Sequence, residues 1–144
     1  MQAEISNLQT LRDITHRLNA VSQAKLDSEE YMVAFVDSMP LPAWIKDIEG
    51  NMRFLNNAYE KIYDIKRENY IGKQDSDVWP QDIADDFKRM DAAVLLGDSV
   101  EYSVERVNNR AGFRKYDHLH VVKFPLYSGP DVVGIAGIIT GVFP

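Results

Sequence analysis

Met39-Pro40-Leu41-Pro42-Ala43-Trp44-Ile45-Lys46-Asp47-Ile48-Glu49-Gly50-Asn51-Met52-Arg53-Phe54-Leu55-Asn56-Asn57-Ala58-Tyr59 is the stretch whose reading decides the fold. Two prolines flanking Leu41 end any helix before them and enforce an extended link. Ala43 to Lys46 is a short apolar run, Asp47 to Asn51 a polar turn, and Met52 to Asn56 a returning strand, which together predict a hairpin. Asn56-Asn57 then supplies side chains suited to capping a helix. That helix runs from Ala58 to about Asp64, with Tyr59, Ile62 and Tyr63 on one face.

Outward from the hairpin, the N-terminal side is helical. Glu29 to Ser38 reads as a short helix. Ile5 to Ser28 contains no Gly or Pro, and Leu8, Leu11, Ile14, Leu18 and Val21 recur every three or four residues. Leu11 and Leu18 are one heptad apart, as are Ile14 and Val21, after which Lys25 and Ser28 dilute the seam. So narrow a stripe is marginal alone in water. A second copy of itself is the simplest partner, and packing on its own globular domain is the alternative.

On the C-terminal side, a break at Ile71-Gly72-Lys73 leads to Asp75-Ser76-Asp77-Val78-Trp79-Pro80. Pro80 stands where helices begin. Asp82, Asp85 and Asp86 place negative charge at the positive end of the helix dipole. Ile83, Phe87, Met90, Val94 and Leu95 form the apolar face, and Gly97 stops the helix. Three strands follow: Val100 to Val107, Phe113 to Leu126 and Val132 to Phe143. Their turns are Asn108 to Gly112 and Ser128 to Asp131. Five antiparallel strands, with helices gathered between strands two and three, describe an α+β domain.

Composition narrows the function. The chain has 144 residues, 45% of them hydrophobic, which suits one globular domain with a short appendage. It has no Cys, so disulfides, thiolate zinc sites, Cys nucleophiles and cysteinyl–flavin photochemistry are excluded. The formal charge of -6 argues against sequence-independent nucleic-acid binding. The longest apolar run, Val132 to Ile139, is far short of the ~20 residues of a membrane span. MQAEISNLQT lacks the basic and apolar regions of a signal peptide. The expectation is a cytoplasmic chain with no membrane segment of its own, complete or cut from a longer receptor.

The order of elements, with these particular words, resembles a PAS (sensory-box) domain of the kind found in bacterial sensor kinases and diguanylate cyclases. Met39 to Asp47 resembles the family's lead into its first strand, and Phe54 to Tyr59 its strand-to-helix junction. Tyr70-Ile71-Gly72-Lys73 resembles its helix break, Lys123-Phe124-Pro125-Leu126 a strand end, and Val133 to Ile138 its last strand. The similarity covers roughly residues 30–143. It divides the chain into an N-terminal signalling and dimerisation helix at 1–29 and a PAS domain at 30–144. The family's closing Asp-Ile-Thr triplet is replaced by Gly141-Val142-Phe143, followed by Pro144. The chain is therefore expected either to be cut at the domain edge or to couple differently to its effector.

The resemblance implies a pocket between the inner sheet face and the helices at 58–96. It nominates Trp44, Lys46, Phe54, Asn56, Tyr63, Trp79, Phe87, Met90, Glu105, Leu119, Val121, Lys123 and Ile139 as its walls, with Gly137 also facing inward. Residues 58–96 contain no His, which disfavours family-type haem ligation, and the missing Cys disfavours a covalent flavin. A non-covalently held flavin stays open, though no residue calls for one, and the sequence names no cofactor. Two lysines approaching the pocket need a partner or solvent. The partner is a protein carboxylate such as Glu105 or a carboxylate or phosphate ligand; otherwise both lysines snorkel to the rim.

His118-Leu119-His120 raises a metal reading. Gly112 followed by His118-x-His120 matches the start of a cupin motif, but the Glu that should follow is missing and Lys123 stands nearby. The family pattern turns both histidines outward with Tyr116, Val122 and Phe124, where burial at a junction would make association pH-sensitive. Asp75, Asp77, Asp82, Asp85 and Asp86 lack calcium-loop spacing and read as caps and dipole partners. His16, in Thr15-His16-Arg17-Leu18, does not sit in a kinase phosphoacceptor pattern and reads as a solvated helix residue.

The expected function is that of a non-enzymatic sensory domain. It binds a small molecule, of anionic character if Lys46 and Lys123 serve it, or a partner. It then relays a change in packing to an attached effector such as a kinase or cyclase, as a homodimer joined through Leu8, Leu11, Ile14, Leu18 and Val21. The alternatives are a filled-pocket PAS scaffold that only dimerises and a cupin-like metalloenzyme using His118 and His120.

Overall fold

The computed structural model describes residues 1–22, 26–97, 101–106 and 118–143, and their side chains except those of 18–22, 97, 101–106, 118, 142 and 143. The chain forms two compact units, Met1–Ala34 and Phe35–Pro144.

The first unit holds helix α1 (Gln2–Ser22) and most of helix α2 (Ser28–Ser38). The predicted run of Ile5 to Ser28 is therefore not one helix. α2 begins at Ser28 because Asp27 and Glu30 cap it reciprocally: Glu30 N–H donates to Asp27 Oδ1 at 2.8 Å, and Asp27 N–H to Glu30 Oε2 at 3.0 Å. Leu8, Leu11 and Ile14 are exposed along α1. The side chains of Leu18 and Val21 lie outside the described residues.

The second unit is built on a sheet of order β2-β1-β5-β4-β3, with every pair antiparallel. The strands are β1 (Ala43–Asp47), β2 (Met52–Leu55), β3 (Glu101–Arg106), β4 (His118–Ser128) and β5 (Asp131–Phe143). Between β2 and β3 come α3 (Asn57–Tyr63), a 3₁₀ turn (Arg67–Asn69), α4 (Asp75–Val78) and α5 (Gln81–Gly97). The expected turn at 108–112 and the start of the long strand at 113–117 lie outside the described residues.

The helices' apolar faces meet one sheet face in a core that includes Trp44, Met52, Leu55, Tyr59, Tyr70, Phe87, Leu119, Val121 and Ile139. The helix break takes Gly72 to φ +80°, a conformation open to glycine. There Gly72 N–H donates to Met52 O at 2.7 Å and Met52 N–H to Lys73 O at 3.0 Å, tying the break to the edge strand.

One expectation fails at the hairpin. The resemblance places Phe54 on the inner face, but the β1–β2 register shifts between Ile45 and Lys46. Trp44 pairs with Leu55, Ile45 with Phe54, and Lys46 with Met52, leaving Arg53 as the extra residue. Met52 and Leu55 therefore both turn inward and are fully buried, while Phe54 is half-buried on the opposite face. The Arg67 guanidinium lies over its ring at 5.9 Å.

Candidate functional site

The inner face carries two lysines. Lys46 comes from β1 and Lys123 from β4, with β5 between them. Trp44, Gly137 and Lys123 stand in one row across the three strands. Neither lysine snorkels: their exposures are 2% and 1%. The expectation of a solvated rim position is thus corrected. Buried ammonium groups require charge partners, and the helices supply them. Lys46 Nζ donates to Asp75 Oδ2 at 2.6 Å, on the first residue of α4, and to Asp91 Oδ2 at 2.8 Å, on α5. Lys123 Nζ donates to Asp91 Oδ1 at 3.2 Å.

The network continues into aromatic side chains. Tyr70 Oη donates a short hydrogen bond to Asp75 Oδ1, and Trp79 Nε1 donates to Tyr70 Oη at 2.9 Å. Phe87 lies against both ammonium groups, its centroid 5.7 Å from Lys46 Nζ and 5.2 Å from Lys123 Nζ. Trp44, Tyr59 and Tyr63 pack edge-on or tilted around them. The space left between these groups is about 10 Å³, room for one water at most.

Electrostatics fix the protonation states. Burial pulls the Lys46 pKa down, but Asp91 and Asp75 together outweigh it and hold the ammonium above its ordinary value. Burial likewise raises Asp91, yet Lys46 and Lys123 bring it below the usual aspartate value. The Tyr70 phenol is pushed well above its ordinary value, first by burial and then by the charge of Asp75. Lys46 is thus held charged, Asp91 ionised and the Tyr70 phenol protonated.

Asp75 and Asp91 were the missing partners. The sequence reads both Asp75 and Asp77 as caps or dipole partners; Asp77 does cap, its carboxylate accepting from Gln74 N–H at 3.1 Å, while Asp75 pairs with Lys46. Asp91 was not singled out. Its signal is positional: it lies four residues after Phe87 and four before Leu95, an acid inside an apolar stripe. The Glu105 side chain, the expected partner, lies outside the described residues.

Trp44, Lys46, Tyr63, Phe87 and Lys123 come together around the residual space. Trp79, Leu119, Val121 and Ile139 belong to the surrounding core, and Met90 packs against it. Asn56 serves a different end. Its Oδ1 accepts from Ala43 N–H and Tyr59 N–H, both at 3.0 Å, and its Nδ2 donates to Val36 O at 2.9 Å and Leu41 O at 2.8 Å. One fully buried amide thus joins the end of α2, the start of β1 and the N-cap of α3. Arg67 fastens the same corner through Asp37 at 3.1 Å, Glu60 at 2.9 Å and Asn57 at 2.6 Å. Its hydrogen bonds are the main cause that lowers the Glu60 pKa.

A second space opens on the other side of Asp75 and Asp91. This cleft of about 410 Å³ lies between the β1–β2 turn, α4 and α5. His120 is half-buried on the outer face, and the His118 side chain lies outside the described residues. Among the described residues no three His, Cys, Asp or Glu gather as a metal set, and no helix is long and apolar enough to cross a membrane.

A five-stranded antiparallel sheet with its helices between the second and third strands is the plan of a sensory-box domain, and the family comparison agrees. The chain belongs to the PAS fold family, whose model matches residues 36–142. It is similar to the PAS domain of BvgS from Bordetella pertussis, at 22% identity over 79% of this chain and 86% of that one, with a TM-score of 0.64. It is similar to the phage VqmA–DPO complex at 23% identity and a TM-score of 0.64, covering 77% of this chain and 51% of that one. The PAS domain of the histidine kinase ThkA matches at 14% identity and a TM-score of 0.55, over 69% of this chain and 96% of that one. At these identities the likeness is one of fold. No curated protein matches the chain.

Proposed function

We propose that the chain is a cytoplasmic, non-enzymatic sensory domain. It holds a small molecule against its inner sheet face and relays the change to an attached effector through its N-terminal helices. The observation that carries this reading is the buried charge cluster of Lys46, Lys123, Asp75 and Asp91 inside an aromatic wall. A core that needs only stability gains little from buried ion pairs, since well-packed apolar residues do as well or better. Asn56 gives the inner layer a hydrogen-bonded link to the end of α2. The PAS domain of the histidine kinase ThkA and the phage VqmA–DPO complex are among its structural relatives, which is the company this role would keep.

The exposed Leu8, Leu11 and Ile14, together with Leu18 and Val21 at the same spacing in the sequence, serve as a parallel dimer seam. Ligand binding biases one seam arrangement over another only if the ligand prefers one of them. With no His in residues 58–96 and no Cys anywhere, haem of the family type and covalent flavin have no attachment point.

A second reading, a scaffold with a filled pocket, is favoured by the 10 Å³ of residual space. Native mass spectrometry of fresh protein, paired with a thermal-shift screen of charged and neutral metabolites, separates the two. The sensory reading expects a dimer with a co-purified mass or at least one saturable hit. A bare chain that no compound stabilises overturns it in favour of the scaffold.

A further inference from the structure

We propose, building on the reading of the inner face as a ligand site, that the segment from Arg67 to Tyr70 is the relay between that face and the end of α2. Tyr70 is its inner end and Arg67 its outer end. Tyr70 is 1% exposed and donates its hydroxyl proton to Asp75 Oδ1, which also accepts from Lys46 through its other oxygen. Arg67 reaches Asp37 on the last turn of α2: Nη2 donates to Oδ1 at 3.1 Å and Nη1 to Oδ2 at 3.4 Å, a two-pronged pair. The backbone between the two ends is short and closed on itself. Tyr70 N–H and Ile71 N–H donate to Arg67 O at 3.0 and 2.9 Å, and Asn69 N–H donates to Lys66 O at 2.9 Å. A turn so tied has little give, and a displacement at Tyr70 is carried to Arg67. Asp64 at φ +50° and Gly72 at φ +80° bound the piece. A few loop residues that absorb a change in φ and ψ are what a hinge consists of.

The outer end is built to open. No residue of α2 is buried, and polar contacts fasten its last turn. Asn56 Nδ2 donates to Val36 O at 2.9 Å, Asn57 Nδ2 to Asp37 O at 3.3 Å, and Arg67 to the Asp37 carboxylate. The side chains of Arg67 and Asp37 are 30% and 24% exposed, so water and salt weaken the pair. Arg67 keeps a second carboxylate when it lets go. Glu60 accepts from its Nε at 3.2 Å, its Nη2 at 2.9 Å and its backbone N–H at 2.9 Å. Opening therefore strands no guanidinium. The two states are Arg67 on Asp37 and Glu60 together, and Arg67 on Glu60 alone. Such a two-state element, biased from both ends, is what coupling between two sites requires. A ligand that engages the Tyr70 hydroxyl draws it off Asp75, shifts the turn and favours the second state, in which the end of α2 is released.

The test reads each end after a change at the other, because coupling is reciprocal. Variants of the full chain are followed by NMR hydrogen exchange. Asp37→Asn, at the part-exposed end, is expected to speed exchange of the Trp79 indole N–H, which donates to Tyr70 Oη, by about fivefold. The Trp44 indole N–H is expected to stay as it is. Tyr70→Phe, which removes only the hydroxyl, is expected to speed amide exchange over residues 36–39 by about fivefold and to add nothing further in the Asp37→Asn background. Ile83→Val, a core change on α5, controls for general loosening and is expected to leave 36–39 unchanged. If Tyr70→Phe does not fold, the Asp37→Asn reading at Trp79 decides alone. An unmoved Trp79 in Asp37→Asn, an unmoved 36–39 in Tyr70→Phe, full effects that add in the double variant, or the same response from Ile83→Val each overturns the relay while the sensory reading stands. A screen in which no compound binds overturns the sensory reading, and the coupling of the two ends is then judged by these variants by themselves.

Discussion

Trp44 and Gly137 face each other across β1 and β5, and the indole fills the place of a side chain at 137. A Cβ built there would lie 2.2 Å from Trp44 Cζ2. The absence of a side chain on β5 is what lets Trp44 lie over the sheet toward Lys123 in the neighbouring strand. Gly137→Ala is therefore an overpacking change at the wall of the site. We expect a loss of about 1–3 kcal/mol in urea unfolding and a red-shifted tryptophan emission. An unchanged midpoint would mean that Trp44 does not rest there.

Lys46→Met removes the cation shared by Asp75 and Asp91. Breaking a buried pair from one side strands the other charge, at about 3–5 kcal/mol. The loss is expected to be strongly non-additive with that of Asp75→Asn, because the two groups touch at 2.6 Å. A double-mutant cycle with no coupling would dissolve the network.

The pH profile follows from signs. The folded pKa of Asp91 is lowered, so its contribution is complete above the ordinary value of 3.8 and is lost as pH falls through the folded value. The folded pKa of Lys46 is raised, so its contribution is complete below 10.5 and is lost as pH rises through the folded value. The cluster's share of stability should be flat from about pH 5 to about pH 9. Urea midpoints across this range check it, and Asp91→Asn should have a weaker acid limb than wild type.

Asn56→Asp separates two jobs of one side chain. An aspartate still accepts from Ala43 and Tyr59 but can no longer donate to Val36 O and Leu41 O. Hydrogen exchange should quicken around residues 36–42 while the first turn of α3 stays protected. Asn56→Ala, which also removes the cap, should cost about 1 kcal/mol more. Equal effects from both variants would refute the division.

Leu11→Glu places a charge in the expected seam of α1. Sedimentation should show a dimer for wild type and a monomer for the variant. Identical masses would remove the seam from the account.

Much of this was legible because it rests on local rules. The Pro40–Pro42 link, the hairpin turn at Asp47 to Asn51 and the Asn56 cap follow from backbone preferences, and they appear where the residues put them. The family pattern turns Trp44, Lys46, Leu119, Val121, Lys123 and Ile139 inward. It failed at Phe54 because a bulge adds one residue and reverses every later side chain, and no local pattern announces a bulge. The lysines were visible, but their partners were not. Asp75 lies 29 residues and Asp91 45 residues from Lys46, and only the closed fold brings them together. An acid at a helix start has an ordinary explanation in the dipole, which concealed Asp75. Asp91 could have been found as the one charge interrupting the stripe from Phe87 to Leu95.

The account rests on an ionised Asp91 held between two buried ammonium groups. The most direct measurement is an NMR titration of the aspartate side-chain carboxyls, with Asp91 assigned by its loss in Asp91→Asn. The account predicts that Asp91 keeps its carboxylate shift through pH 3.8 and titrates below it while the fold persists. A midpoint at or above that value would contradict it.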